Sequence, residues 1–186
     1  DSIVVNPHKW LFVPVDLSAF YCRRMDDMRA LFTVTPDYLK PSHDETVHNL
    51  SDTGLALGRR FRALKLWMTL RSYGADGIRS ILARHIALAQ QFAGWVDRHD
   101  DFERLAPVPF SVVCFRWRPV NIASSPEALD RANEQLLDRV NATGEVFLSR
   151  TKIGGRTALR LAIGNLSTAE HHVRRAWDLL VAHAGG

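Results

Sequence analysis

Four lysines stand against twenty arginines in this 186-residue sequence, so chemistry that needs a primary amine can draw only on Lys9, Lys40, Lys65 and Lys152. Cysteine is scarcer still. Cys22 and Cys114 lie far apart, one beside Tyr21 and one between Val113 and Phe115, and each reads as a small buried residue rather than a disulfide partner. A cytoplasmic compartment is the default expectation. No apolar run approaches the roughly 20 residues that span a bilayer, and Asp1-Ser2-Ile3-Val4-Val5 lacks the basic start of a signal peptide. Neither membrane insertion nor export is expected, and the glycosylation-like triplets at Asn49, Asn141 and Asn165 carry weight only in a secreted protein.

Other signatures are missing too. There is no Gly-rich phosphate loop and no Gly-x-Ser-x-Gly elbow. Of the eight histidines, neither His43 with His48 nor the adjacent His171 and His172 has the i, i+4 spacing of a helical zinc pair or a nearby cysteine set, so no metal site is expected. The formal charge of +4 is spread among 20 acidic residues with no basic block, which disfavours a nucleic-acid partner. With 46% hydrophobic and 24% charged residues, the chain has ordinary globular composition.

What is present begins with a short apolar run, Ile3 to Val5, stopped by Asn6-Pro7 in the pattern of a buried strand. A lone strand at the start implies that a large N-terminal portion is missing. Trp10 to Val15 and the alternating Ala19 to Arg23 read as the two arms of a hairpin, turning near Pro14 and Asp16. Thr33 to Asp52 lacks periodicity and reads as a long loop, a type that is usually functional or disordered.

From Leu55 the period becomes helical. Leu57, Phe61, Leu64 and Met68 form one stripe and Leu66, Trp67 and Leu70 widen it, so this helix is expected to be buried on more than one side and to end at Gly74. Arg59, Arg60 and Arg62 near its start oppose the macrodipole unless they meet carboxylates or phosphate. A second helix is expected over Asp76 to Arg98, with Ile78, Leu82, His85, Ala89, Phe92 and Val96 on its buried stripe. There follow strands Phe102 to Leu105 and Ser111 to Trp117, helix Pro126 to Asn141, strands Glu145 to Arg150 and Arg156 to Ile163, and helix Thr168 to His183. Gly154-Gly155 marks a hairpin turn, while Ser124 or Ser125, and Thr168 with His171, mark helix starts. This order makes an α+β layer of antiparallel strands with helices on one side.

The chemistry concentrates in Asn6-Pro7-His8-Lys9-Trp10. An amine at a strand end beside apolar and aromatic surface loses water, which disfavours the ammonium form and suits Schiff-base formation. Taken alone, a lysine after a turn is as readily a solvated surface residue. The string, however, resembles the cofactor-lysine motif of the group II pyridoxal-phosphate decarboxylases, the family of the DOPA, tyrosine, tryptophan and histidine decarboxylases, and a lysine Schiff base is the protein signature of that cofactor. The likeness continues in order. Asp1-Ser2 resembles the entry to the cofactor strand, and Asp16-Leu17-Ser18-Ala19 is similar to the family's Asp-Cys-Ser-Ala. Thr35-Pro36-Asp37-Tyr38-Leu39-Lys40 resembles its mobile catalytic loop. Leu57 to Trp67 resembles the helix after that loop, and Arg160 to Ile163 the last strand of its small domain.

The resemblance implies an α/β chain. Residues 1–70 would be the end of the large cofactor-binding domain of a fold-type I enzyme and residues 71–186 a small α+β C-terminal domain, with well over half of the enzyme missing. It implies pyridoxal 5'-phosphate as cofactor, an aromatic amino-acid substrate and a homodimer. Lys9 would carry the cofactor. Tyr38, a phenol that keeps its proton at neutral pH, would donate that proton to Cα after carbon dioxide leaves; without the family it reads as a surface tyrosine in a loop. Asn6 would contact the phosphate and His8 would lie against the substrate pocket, although as residues alone they are as readily a strand cap and a satisfied histidine. Gly58, placed at the start of the arginine-rich helix, would offer its backbone to the phosphate of the neighbouring subunit. Where relatives often carry a Tyr-Arg pair and a Trp, this chain has Leu50-Ser51 and Thr53, a different docking surface for the loop. Two other readings stand beside decarboxylation. One is an aldehyde synthase of the same family, against which Tyr38 argues. The other is an inactive fragment that associates with another chain.

Overall fold

The computed structural model describes residues 1–33, 49–119 and 125–184. They fall into two compact units, Asp1–Gly74 and Ala75–Gly186.

In the first unit β1 (Ser2–Val5) pairs antiparallel with β2 (Ala19–Cys22), from Ser2 opposite Cys22 to Val5 opposite Ala19. The expected hairpin is therefore corrected. Its first arm is β1 itself, and Trp10 to Val15 is no strand. Pro7 opens a single helical turn, α1 (Pro7–Trp10), where its missing N–H costs nothing because first-turn amides have no helical partner. Beyond the turn Val13 and Leu17 are buried, 2% and 5% exposed. Within this chain β1 is not buried: Ile3 is 65% and Val4 59% exposed, since an edge partner satisfies a strand's hydrogen-bonding groups but covers neither face.

Helix α2 (Met25–Phe32) was not among the expected elements; Met25, Met28 and Phe32 stand at helical spacing, yet none of its residues is buried. Asp26 and Asp27 in its first turn complement the helix dipole, and Thr33 closes it by donating from N and Oγ1 to the Arg29 carbonyl at 2.8 and 2.7 Å. Of the expected loop, residues 34–48 lie outside the described residues, and Leu50–Thr53 is one 3₁₀ turn.

The long helix α3 (Arg62–Asp97) starts seven residues later than its periodicity suggests and is broken at Gly74, whose φ of 65° lies in the left-handed region. Before the break, Phe61, Leu64, Trp67, Met68 and Leu70 are 45–75% exposed, so the expected burial on several sides does not occur within this unit. After the break the expected stripe is buried: His85, Ala89, Phe92 and Val96 are fully enclosed.

The second unit adds a four-stranded antiparallel sheet in the order β3-β4-β6-β5, made of β3 (Phe102–Arg104), β4 (Val112–Trp117), β5 (Ser149–Ile153) and β6 (Arg156–Ala162). Gly154 and Gly155, with φ of 57° and 78°, form the two-residue turn between β5 and β6 and set Ile153 opposite Arg156. A turn that tight requires the strand to run up to it, which is why β5 lies at Ser149–Ile153 and not at the expected Glu145 to Arg150. Helix α4 (Pro126–Ala142) is capped by Ser125, whose Oγ accepts from the Ala128 amide at 3.3 Å. Helix α5 (Glu170–His183) has its N-cap at Ala169, one residue after the expected Thr168, and His172 Nδ1 accepts from the Ala169 amide at 3.1 Å.

One apolar cluster joins these elements. Phe92, Phe115, Phe102 and Trp177 meet edge to face or tilted, with centroids 5.2–6.3 Å apart. Asn133, fully buried on α4, accepts from the Trp117 amide and donates to the Trp117 and Leu129 carbonyls at 2.8–2.9 Å, fastening the helix to β4. The two cysteines are free and half-buried, and burial raises the Cys114 pKa. No described helix is long and apolar enough to cross a membrane.

His85 makes this unit sensitive to acid. Burial, aided by the Arg84 charge, lowers its pKa, and a hydrogen bond with the Asn165 backbone only partly offsets this. The folded state therefore binds fewer protons than the unfolded state below about pH 6.5. The contribution of His85 is complete above that value and declines as pH falls towards the folded pKa. We expect the urea midpoint to drop between pH 7 and pH 5 and the drop to shrink in His85→Gln, since carboxylates titrate lower. An identical slope in the variant would remove His85 from the account.

Candidate functional site

Lys9 sits on α1 between His8 and Trp10, and the turn is held from behind. The Lys9 amide donates to the Asn6 carbonyl at 3.0 Å, and the Val13 amide to the Pro7 carbonyl at 3.3 Å. His8 Nδ1 accepts from the Leu17 amide at 3.2 Å and is in hydrogen-bonding contact with the Leu17 carbonyl as well. The Ser18 hydroxyl donates to Asn6 Oδ1 at 2.5 Å. Thus Asn6-Pro7-His8-Lys9 and Asp16-Leu17-Ser18-Ala19, two strings separate in the sequence, form one stitched piece at the mouth of the β1–β2 pair.

Lys9 itself is exposed, so the apolar wall expected to strip its water is not supplied by the described residues of its unit. Tyr38 lies outside the described residues, and with it the Thr35–Lys40 string. Gly58 does not begin a helix: α3 starts four residues later, and Gly58 lies in an exposed bend where an added Cβ would meet nothing within 4 Å. The structure thus brings Asn6, His8 and Lys9 together.

Residues that the sequence reading left out of the site support this piece. Arg62 meets Asp16 with a two-pronged ion pair, Nε and Nη2 donating at 3.0–3.2 Å, and this lowers the Asp16 pKa. Lys65 Nζ donates to the Pro14 carbonyl at 2.8 Å. Arg59 Nη1 donates to the Leu50 carbonyl at 3.3 Å and to Thr53 Oγ1 at 3.2 Å, so two of the three residues that depart from the family's pattern are tied to the arginine-rich segment. Beside the Arg62 pair lies a hollow of about 240 Å³ lined by Asp16, Phe61, Lys65 and Met68 among others; a larger one, about 450 Å³, belongs to the second unit between β6 and α5. Neither is lined by Asn6, His8 or Lys9. No group of three or more metal-ligating side chains occurs among the described residues.

A family model described as the pyridoxal-dependent decarboxylase conserved domain matches residues 1–118. The chain belongs to that family. It is 38% identical over 182 residues to the aromatic-L-amino-acid decarboxylase of Catharanthus roseus, covering 97% of this chain and 36% of the relative. It is also 38% identical to a phenylacetaldehyde synthase of Arabidopsis thaliana, over 99% of this chain and 38% of the relative. In structure it is similar to Oryza sativa TDC, crystallised with PLP and tryptamine, with a TM-score of 0.93 and 39% identity over 99% of this chain and 38% of that one. The chain spans little more than a third of the length of these relatives. The α/β fold expected from the resemblance is borne out by this likeness.

The residues present fit a pyridoxal phosphate in their chemistry. Lys9 offers an accessible primary amine. With Asn6 Oδ1 already accepting from Ser18, the donor half of that amide suits an anion, and the Gly58 backbone is unobstructed. Because an added Cβ finds open space at Gly58, Gly58→Ala should shift the unfolding free energy by less than about 0.5 kcal/mol. A drop in pyridoxal-phosphate affinity at unchanged stability would place the need for glycine in the ligand, and a drop in stability alone would place it in the fold.

Proposed function

We propose that this chain forms the cofactor-lysine part of an enzyme that decarboxylates an L-amino acid, an aromatic one, to its amine and carbon dioxide. The observation that carries this reading is the accessible Lys9 amine on a turn fastened by the Asn6–Ser18 and His8–Leu17 bonds, in a chain of the pyridoxal-dependent decarboxylase family. Residues 1–70 end the large domain and 71–186 form the small one. Bound pyridoxal phosphate supplies an electron sink for the pair released when the carboxylate leaves. Lys9 would hold the cofactor covalently through its amine. Asn6 and the Gly58 backbone hold the phosphate, with Gly58 acting across a homodimer. His8, its Nδ1 fixed on Leu17, lies against the substrate. Tyr38 delivers the proton to Cα. Binding of the ring nitrogen and of the substrate side chain falls to residues beyond this chain. A cytoplasmic enzyme accords with the free, unpaired cysteines.

The direct test is covalent. Full-length protein incubated with pyridoxal phosphate and reduced with borohydride should carry one adduct, on the peptide containing Lys9, and Lys9→Ala should lose the adduct, the visible absorbance and turnover together. An adduct on another lysine, or full activity in the variant, would overturn the assignment.

The second reading, an aldehyde synthase, has one observation in its favour: the likeness to a phenylacetaldehyde synthase equals that to a decarboxylase. Products separate the two. Decarboxylation gives amine and carbon dioxide in equal amounts, whereas the oxidative reaction takes up oxygen and water and yields aldehyde, carbon dioxide, ammonia and hydrogen peroxide. With Tyr38 as the proton donor, the native enzyme makes amine, and Tyr38→Phe should still bind cofactor and release carbon dioxide while shifting product from amine to aldehyde and ammonia under air. Normal amine yield at the native rate in that variant would remove Tyr38 from the reaction.

A further inference from the structure

We propose that Asp16 and Arg62 are positioning residues for Lys9: their two-pronged ion pair fastens the start of α3 to the segment on which Asn6 and His8 are tied. The chain of contacts is continuous. Arg62 Nε and Nη2 donate to both oxygens of Asp16 at 3.0–3.2 Å. The next residue, Leu17, holds the His8 ring through its backbone, and the one after, Ser18, holds the Asn6 amide. Lys65, one turn along the helix, donates to the Pro14 carbonyl at 2.8 Å and fixes the other side of Asp16. Asn6 precedes the Lys9 turn and His8 lies within it, and Gly58 lies four residues before Arg62. The pair thus sets where Lys9 stands relative to Gly58.

Energetics favour positioning over bulk stability. The Arg62 and Asp16 side chains are 34% and 53% exposed, and ion pairs in water typically contribute about 0–1 kcal/mol to folding. A guanidinium fork on a carboxylate adds directional constraint that a point charge does not. It bridges 46 residues of sequence, and with the Lys65–Pro14 bond it fastens the start of α3 to this segment by directional contacts. The pair is therefore suited to hold a geometry while adding little to the melting temperature.

The inference rests on Lys9 carrying pyridoxal phosphate, and the experiment keeps the two claims apart. In the full-length protein, Asp16→Asn, Arg62→Gln, the double variant and Arg62→Lys are compared with the native protein for pyridoxal-phosphate Kd, for circular dichroism of the bound cofactor, and for the thermal midpoint of the cofactor-free form. We expect each single variant to raise Kd about tenfold and to change the cofactor dichroism, and the double variant to do no worse than either single, as for two halves of one contact. Arg62→Lys, which keeps the charge and loses the fork, should fall between. The cofactor-free midpoint should move by less than about 2 °C. Native affinity and dichroism in both single variants would overturn the proposal. So would losses that multiply in the double variant, or affinity that falls only in step with the cofactor-free midpoint. Failure of the underlying reading looks different: the native protein itself would form no reducible adduct at Lys9.

Discussion

Everything proposed for Lys9 depends on one local constraint, the commitment of the polar groups of Asn6 and His8 to residues twelve and nine positions downstream. A single helical turn cannot stabilise itself, because nucleation fixes several residues for the sake of one hydrogen bond. Here the turn is made durable by contacts from outside it: Ser18 to Asn6, Leu17 to His8, Val13 to Pro7. The β1–β2 register brings those partners into range, since pairing Val5 with Ala19 places Asn6 and Ser18 side by side at the end of the ribbon. The amine then rides on a fastened turn while its own end stays accessible, as the covalent role proposed for it requires.

The same arrangement gives the charge pattern a meaning. Three arginines at the start of a helix are unfavourable against its dipole, yet the described contacts of Arg59 and Arg62 remove part of that cost. Arg62 is answered by Asp16, and Arg59 by the carbonyl and hydroxyl of the Leu50–Thr53 turn. Glu145 and Arg175 do the equivalent work in the second unit, where the pairing lowers the glutamate pKa and raises that of the arginine.

How much of this was legible in the sequence follows from the range of the interactions involved. The second unit was read nearly element by element because its signals are local: Pro126 after Ser125, the left-handed glycines at 154 and 155, and the 3.6-residue stripe from His85 to Val96. Its one displaced strand, β5, moved because a two-residue turn outranks an apolar run in setting strand limits; Phe147, the strongest apolar residue of that run, is 85% exposed. The first unit was read poorly for the opposite reason. Its strand pairing joins residues across the Lys9 turn, its helix α2 has no buried face, and the stripe of Phe61, Leu64 and Met68 is apolar without being covered. At the site, Lys9, Asn6 and His8 were legible as a string. The bonds that make the string a site, from Leu17, Ser18 and Arg62, span 9 to 46 residues and leave no periodic trace.

The two units also differ in what holds them. Nearly all fully enclosed apolar side chains belong to the second: Phe92, Val96, Val113, Phe115, Leu136, Val140, Leu159 and Leu180 among them. Among its described residues the first buries Pro7, Val13 and Leu17 and exposes Ile3, Val4, Tyr21, Phe61 and Trp67. At about 25 cal/mol for each Å² of apolar surface removed from water, such a unit gains little from burial. Its order rests instead on directional contacts, which specify position well and add little stability. Within this chain the apolar core is therefore that of the second unit.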